Sequence, residues 1–224
     1  MLRIDIITLF PEIFEQILNV SITGRARKKG LLYINIYNLR DFSENKHKKV
    51  DDYPYGGGPG MVVRPDVVFR AVESIKGGYV IYMSPQGVVL NQKLAEELAK
   101  KEHIIFICGH YEGIDQRIID TIVDLELSIG DYITTGGEIP SLVAIDVIAR
   151  LVPGVLGNPE SLKNESFISS VLEAPQYTRP YDFRGMKPPD VLLSGNHKKI
   201  EEFRINEALK RTRIRRPDLL DGKN

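Results

Sequence analysis

The chain has 224 residues, enough to bury a substantial core in one domain or somewhat more than one. Its 42% hydrophobic content is ordinary for a globular protein and too high for disorder, and 30 basic residues balance 30 acidic ones, so net charge by itself points to no polyanionic partner. One cysteine, Cys108, leaves no disulfide framework and no cysteine-held metal; the four histidines have no ligand spacing, so no metal site is expected.

In chain order, "LRIDIITL" alternates as a strand does, and "FPEIFEQILNV" follows as a helix with Pro11 in its first turn and Ile13, Phe14, Ile17 and Leu18 on one face. As the opening of the chain, "MLRIDIITLF" is too short and too alternating for a signal peptide, and no apolar run reaches bilayer length. A cytoplasmic protein without membrane contact is expected. "LLYINIYNL" is a second strand, after which residues 40–60 are polar and then glycine-rich. The helix "RPDVVFRAVESI", the strand "YVIYMS", the helix "NQKLAEELAKK" capped by Asn91 and the strand "HIIFIC" come next. "DQRIIDTI" is a short helix, "VDLELSI" a strand, and "IPSLVAIDVIARLV" a helix entered through "GDYITTGGE".

Strands alternating with helices, several of them apolar throughout, predict an α/β domain with a mainly parallel sheet over residues 1–155. Residues 156–190 are rich in Pro, Gly, Ser and Asn and predict a mobile linker. Residues 191–224 predict a small basic helical domain with Ile200, Phe203, Ile205 and Leu209 on its apolar side. Between Lys198 and Arg216 it holds eight Lys and Arg against three Glu. A second basic cluster comprises Arg25, Arg27, Lys28 and Lys29, then Lys46, Lys48 and Lys49. Basic helix faces are commonly plain solvent faces, but two clusters are compatible with a phosphate-binding surface.

Ligands of parallel sheets bind beyond the strand carboxyl ends, which here carry "MSPQG", "CGHYEGID" and "SIGDYITTGGEIP". No P-loop lysine and no dinucleotide fingerprint is present, and Glu138 and the acids that end "CGHYEGID" would repel phosphate. The loops can be read as ordinary turns whose glycines supply positive φ. They can also be read together as one site: small residues, backbone donors, Tyr82 and Tyr111 as surfaces, and carboxylates. That set suits a cationic, adenine-containing ligand such as S-adenosylmethionine.

"SPQG", "CGHYEGIDQR", "SIGDYITTGGE", "RLVPGVLGN" and "YTRP", with "VDDYPYGGGPGM" and the late "LLSGNH…RRPDLL", resemble in order and spacing the bacterial-type tRNA (guanine-N1)-methyltransferases. The likeness runs over essentially the whole chain. It implies a trefoil-knot (SPOUT) methyltransferase, a homodimer with active sites at the subunit interface. The implied reaction is methyl transfer from S-adenosylmethionine to N1 of the guanosine immediately 3′ of a tRNA anticodon.

It further implies a cofactor pocket formed by Tyr82, Met83, Ser84 and Pro85, by Gly109, Tyr111, Glu112 and Gly113, and by Ile129, Gly130, Asp131, Tyr132, Ile133, Thr134, Gly136, Gly137 and Pro140. Arg150 takes the place of the family's arginine, although an arginine ending a helix also suits the helix dipole. The general base aligns with Glu165 where the family has aspartate, a departure that keeps the carboxylate and adds one methylene. Glu160 is a nearby alternative. Ser161, Tyr55, Gly57 and Gly58 are implied to meet the RNA substrate, with Tyr53 and Tyr55 as stacking surfaces or simply turn tyrosines. A phosphate-using α/β enzyme and a non-catalytic RNA-binding module are the competing readings.

Overall fold

Leu2–Thr8 (β1) is buried at nearly every position, as a strand covered on both faces must be. In the computed structural model, which describes residues 1–157, 165–167 and 170–221, this strand lies inside a five-stranded sheet of order β2-β1-β6-β5-β7. The other members are Leu32–Asn38 (β2), Tyr79–Val89 (β5), His103–Ile107 (β6) and Leu125–Ser128 (β7), and every pairing is parallel. Asp51–Asp52 (β3) and Val62–Val63 (β4) form a separate antiparallel pair. The predicted mainly parallel α/β architecture is therefore present.

The period of two along β1 divides the core. Leu2, Ile4 and Ile6 face one side, where they meet Phe14 and Leu18 of Pro11–Leu18 (α1), Ala26 of Ser21–Lys28 (α2), Leu98 of Gln92–Leu98 (α4) and Ile145 and Ile148 of Glu138–Ala149 (α6). Ile7 joins Ile105 and Ile107 on the other side, against Val67, Val68, Ala71 and Ile75 of Pro65–Ile75 (α3) and Ile118 of Gln116–Ile122 (α5). Among these apolar positions sits Asp5, fully buried. Its carboxylate accepts from Asn35 Nδ2 at 2.6 Å, meets His103 Nε2 at 2.6 Å and pairs with Arg3 at 2.8 Å. A buried charge needs such a set of partners.

Two local expectations are revised. Helix α2 covers a stretch that sequence reading leaves unassigned, because "SITGRARK" has no apolar stripe. Gly24 is required there, since a Cβ would collide with the Asn19 carbonyl. Strand β5 does not stop at Ser84. Met83 and Val88 both stand opposite Leu127, so Ser84–Gly87 loops out between them before pairing resumes at Val88. Gly87 passes directly over the β7 backbone at Glu126, where a side chain has no room.

The chain divides into two compact units, Met1–Gly157 and Asn158–Asn224. In the second, Asn196 caps the helix His197–Arg215 (α7) by accepting from Lys199 N at 3.1 Å. Ile200, Phe203 and Leu209 are half-buried. Ile205, expected on the same apolar side, is 51% exposed, whereas Thr212 is fully buried and accepts from Leu172 N at 2.9 Å. The cover over α7 thus lies toward its C-terminal end. None of the described helices is long and apolar enough to cross a membrane.

Candidate active site

The three loops named from the sequence converge at the carboxyl ends of β5, β6 and β7, around a cleft of about 410 Å³. Strand β5 contributes Tyr82 and Met83, and its looped-out part Ser84 and Pro85; the loop after β6 contributes Gly109, Tyr111, Glu112 and Gly113. Beyond β7 come Ile129, Gly130, Tyr132, Ile133, Thr134, Gly136, Gly137 and, at the start of α6, Pro140. Asp131 is exposed and does not line the cleft.

Close backbone approach explains several glycines. Gly137 N donates to Gly109 O at 2.8 Å, tying the second and third loops together, and a Cβ on Gly137 would stand 2.8 Å from Cys108 Cα. A Cβ on Gly109 would stand 2.8 Å from the Tyr82 ring. Tyr111 adopts φ 59° at the turn and is 45% exposed, so its ring is open to a ligand. Burial pushes the Tyr82 phenol up, with the Glu126 carboxylate adding to the shift, so it remains a neutral hydroxyl.

Glu126, Ser128, His110, Gln86, Gln116 and Thr135 also line the cleft, without having been singled out in the sequence. Glu126 had a legible signal, as an acid inside the apolar strand "LELS". The charge inventory is one-sided: Glu112 and Glu126 face the cleft, and none of its lining residues is Lys or Arg. A polyphosphate would find no counter-charge there, whereas a ligand bearing sulfonium and ammonium groups matches the donor set.

The glycine-rich segment after β3 is coupled to this site. Glu112 N donates to Met61 O at 3.0 Å, and Val63 N to Gly113 O at 3.0 Å. Tyr55 is 98% exposed, and Gly57 and Gly58 have positive φ with open space around them. These three expected substrate residues lie outside the cleft lining.

Arg150 closes α6 as its C-cap, half-buried, with its N–H donated to Asp146 O, and is also outside the lining. Glu165 belongs to the second unit and is half-buried. Ser161 and Glu160 lie outside the described residues. Among the described residues, no cluster of three or more His, Cys, Asp and Glu is placed to hold a metal ion.

Residues 2–222 match the family model described as tRNA (Guanine-1)-methyltransferase. A tRNA (guanine-N(1)-)-methyltransferase of Dictyoglomus turgidum is 59% identical over 99% of this chain and 91% of its own length. Proteins of the same name from Moorella thermoacetica (54% identical, covering 98% of this chain and 90% of its own) and Clostridioides difficile (54%, covering 100% and 99%) are similar. A full-length family match and relatives of this identity establish that the chain belongs to the tRNA (guanine-N1)-methyltransferase family.

Proposed function

We propose that this protein transfers a methyl group from S-adenosylmethionine to N1 of the guanosine immediately 3′ of a tRNA anticodon. The observation that carries the cofactor assignment is the cleft itself: glycine-lined, walled by tyrosines, and acidic without Lys or Arg. Bound there, S-adenosylmethionine supplies an electrophilic methyl group on a sulfonium centre. Carboxylates Glu112 and Glu126 balance its positive charge, and the loop backbone offers donors and acceptors to its polar edges.

Guanine N1 carries a proton, so its lone pair is exposed only as that proton leaves. Glu165 takes the proton, as the family's aspartate would, its extra methylene lengthening the reach of the carboxylate. Charge then accumulates on guanine O6, and the guanidinium of Arg150 stabilises it. Tyr55, with Gly57, Gly58 and Ser161, receives the splayed base and its backbone. The basic residues of α7 and those around Arg25–Lys29 and Lys46–Lys49 hold tRNA phosphates.

Several further features belong to the same reading. They are a trefoil knot in the region of residues 1–155, a linker at 156–190 that carries the base, a helical tRNA-binding domain at 191–224, and a cytoplasmic location. A homodimer with active sites at the subunit interface is supported by α6. That helix is mostly apolar and leaves Ile139 52% and Val143 42% exposed, and the loop before it leaves Tyr132 58% and Ile133 80% exposed.

The decisive experiment measures methyl transfer to tRNA transcripts with and without guanosine 3′ of the anticodon. Transfer should require that base, and Glu165→Gln and Arg150→Ala should each abolish turnover while leaving S-adenosylhomocysteine binding intact. Full activity in Glu165→Gln would remove the assigned base, and binding of NAD or ATP alone would remove the cofactor assignment.

A further inference from the structure

Glu138, the first residue of α6, is only 3% exposed. Its Oε1 accepts a hydrogen bond from Thr8 Oγ1 at 2.9 Å, the only hydrogen-bond donor it meets among the described residues. Its Oε2 lies 3.8 Å from Nδ1 of His110, a residue that lines the cleft. That Nδ1 is buried and has no hydrogen-bond partner among the described residues. The imidazole is held by packing, at 5.1 Å from Phe10 and edge-on to Tyr111 at 5.0 Å. His110 and Gly136 also form an isolated backbone bridge. A Cβ on Gly136 would overlap Glu138 Oε2 and His110 Nδ1, so glycine leaves the space between carboxylate and ring open.

We propose that Glu138 is a positioning residue that acts through His110. Its carboxylate fixes the proton on Nδ1, which leaves Nε2 of this cleft-lining ring as a hydrogen-bond acceptor for the ammonium or a hydroxyl of the bound methyl donor. The two ring nitrogens are distinguished by whichever hydrogen bond one of them makes. A buried carboxylate with one neutral donor has an unmet demand that an Nδ1–H satisfies. The 3.8 Å separation exceeds a hydrogen bond, and such contacts tighten when a ligand closes the loops around it. Thr8 keeps the carboxylate in place from the end of β1.

The inference deepens the cofactor reading and rests on it for its binding arm only. Nitrogen-15 NMR of the histidine-labelled protein reports the tautomer without any ligand: wild type should show His110 protonated at Nδ1, and Glu138→Gln should shift it toward Nε2. Calorimetry with S-adenosylhomocysteine should show about tenfold weaker binding for Glu138→Gln, an isosteric change that retains an acceptor for Thr8. His110→Phe, which keeps the ring and removes both nitrogens, should weaken binding to a similar degree. The double variant should be no worse than either single one. The Michaelis constant for tRNA should stay at its wild-type value in all three. An Nε2-protonated His110 in wild type, unchanged affinity in Glu138→Gln, or multiplicative losses would each overturn the proposal. Failure of wild type to bind S-adenosylhomocysteine would instead strike the cofactor reading, leaving the tautomer measurement to decide Glu138's hold on His110.

Discussion

Replacing Gly137 by alanine isolates close backbone approach as the reason for a glycine. Its φ of −79° and ψ of −6° are available to any residue, so backbone strain plays no part. The added Cβ would stand 2.8 Å from Cys108 Cα and 2.9 Å from Gly109 N, and neither atom can rotate away. Carbon atoms in contact prefer about 3.5–4.0 Å, so the two loops must part by roughly 0.7 Å or more. Overpacking of this kind costs about 1–3 kcal/mol. The 2.8 Å bond from Gly137 N to Gly109 O is stretched by the same movement, with a loss of about 1 kcal/mol. Alanine's lower conformational freedom returns about 0.5–1 kcal/mol. A net loss of about 1–3.5 kcal/mol should lower the melting temperature by about 2–14 °C for a chain of this length. Because the bond that stretches joins two walls of the cleft, S-adenosylhomocysteine affinity should fall as well. Scanning calorimetry and a binding titration on the variant provide the check. Gly57→Ala serves as the contrast: φ is +79° but nothing lies within 4 Å, so only about 1 kcal/mol of backbone strain is expected. A Gly137→Ala protein that melts within about 1 °C of wild type and binds the ligand normally would refute the reasoning.

Asp115→Ala should cost about 1 kcal/mol near pH 7 in urea denaturation, because its side chain caps α5 by accepting from Arg117 N at 3.0 Å. Hydrogen bonds from the Arg117 side chain, opposed by burial and helped by that N–H, hold the Asp115 carboxyl below the ordinary 3.8. Its contribution is therefore complete above the unfolded pKa and is lost as pH falls through the lower folded value, and the gap between variant and wild type should close on that acid side. Asp5→Ala should destabilise by about 2–4 kcal/mol in the same assay, since Arg3, Asn35 and His103 all lose their shared acceptor. Cys108 should resist alkylation in the native protein and react on unfolding, as followed by intact mass. It is buried, bonded to Ser141 Oγ at 3.1 Å, and its thiol is pushed up by burial and by the nearby Glu138 carboxylate.

What the sequence disclosed and what it hid divide along the range of the interactions. Apolar runs such as "HIIFIC" and "DIIT" announce strands buried on both faces, and the loops that follow them announce a site, because both depend on residues adjacent in the chain. The family motifs then picked out side chains that the folded protein gathers around one cleft. Helix α2 was missed because its sequence carries no stripe. The looped-out Ser84–Gly87 was missed because Pro85 and Gly87 punctuate like a strand end, while the resumed pairing depends on Leu127, some forty residues on (about the span of a βαβ unit). In the sequence Glu138 reads only as a loop acid that argues against phosphate. Its burial depends on Thr8, which no local pattern connects to it. Asp131, placed by motif among cofactor residues, points instead toward solvent, as a charged residue at a loop tip readily does.

The position of β1 at the heart of the sheet has a kinetic consequence. One of its two partners is β6, with Ile4 beside Ile104, a separation of about a hundred residues that makes for slow, high-contact-order folding. Until that partner has left the ribosome, one edge of the nascent β1 and β2 pair presents unpaired N–H and C=O groups along an apolar strand. The last wall of the cleft arrives later still, with α6. Ligand-binding competence is thus acquired late in synthesis, and the growing chain before that point is the form most exposed to aggregation and most in need of a chaperone.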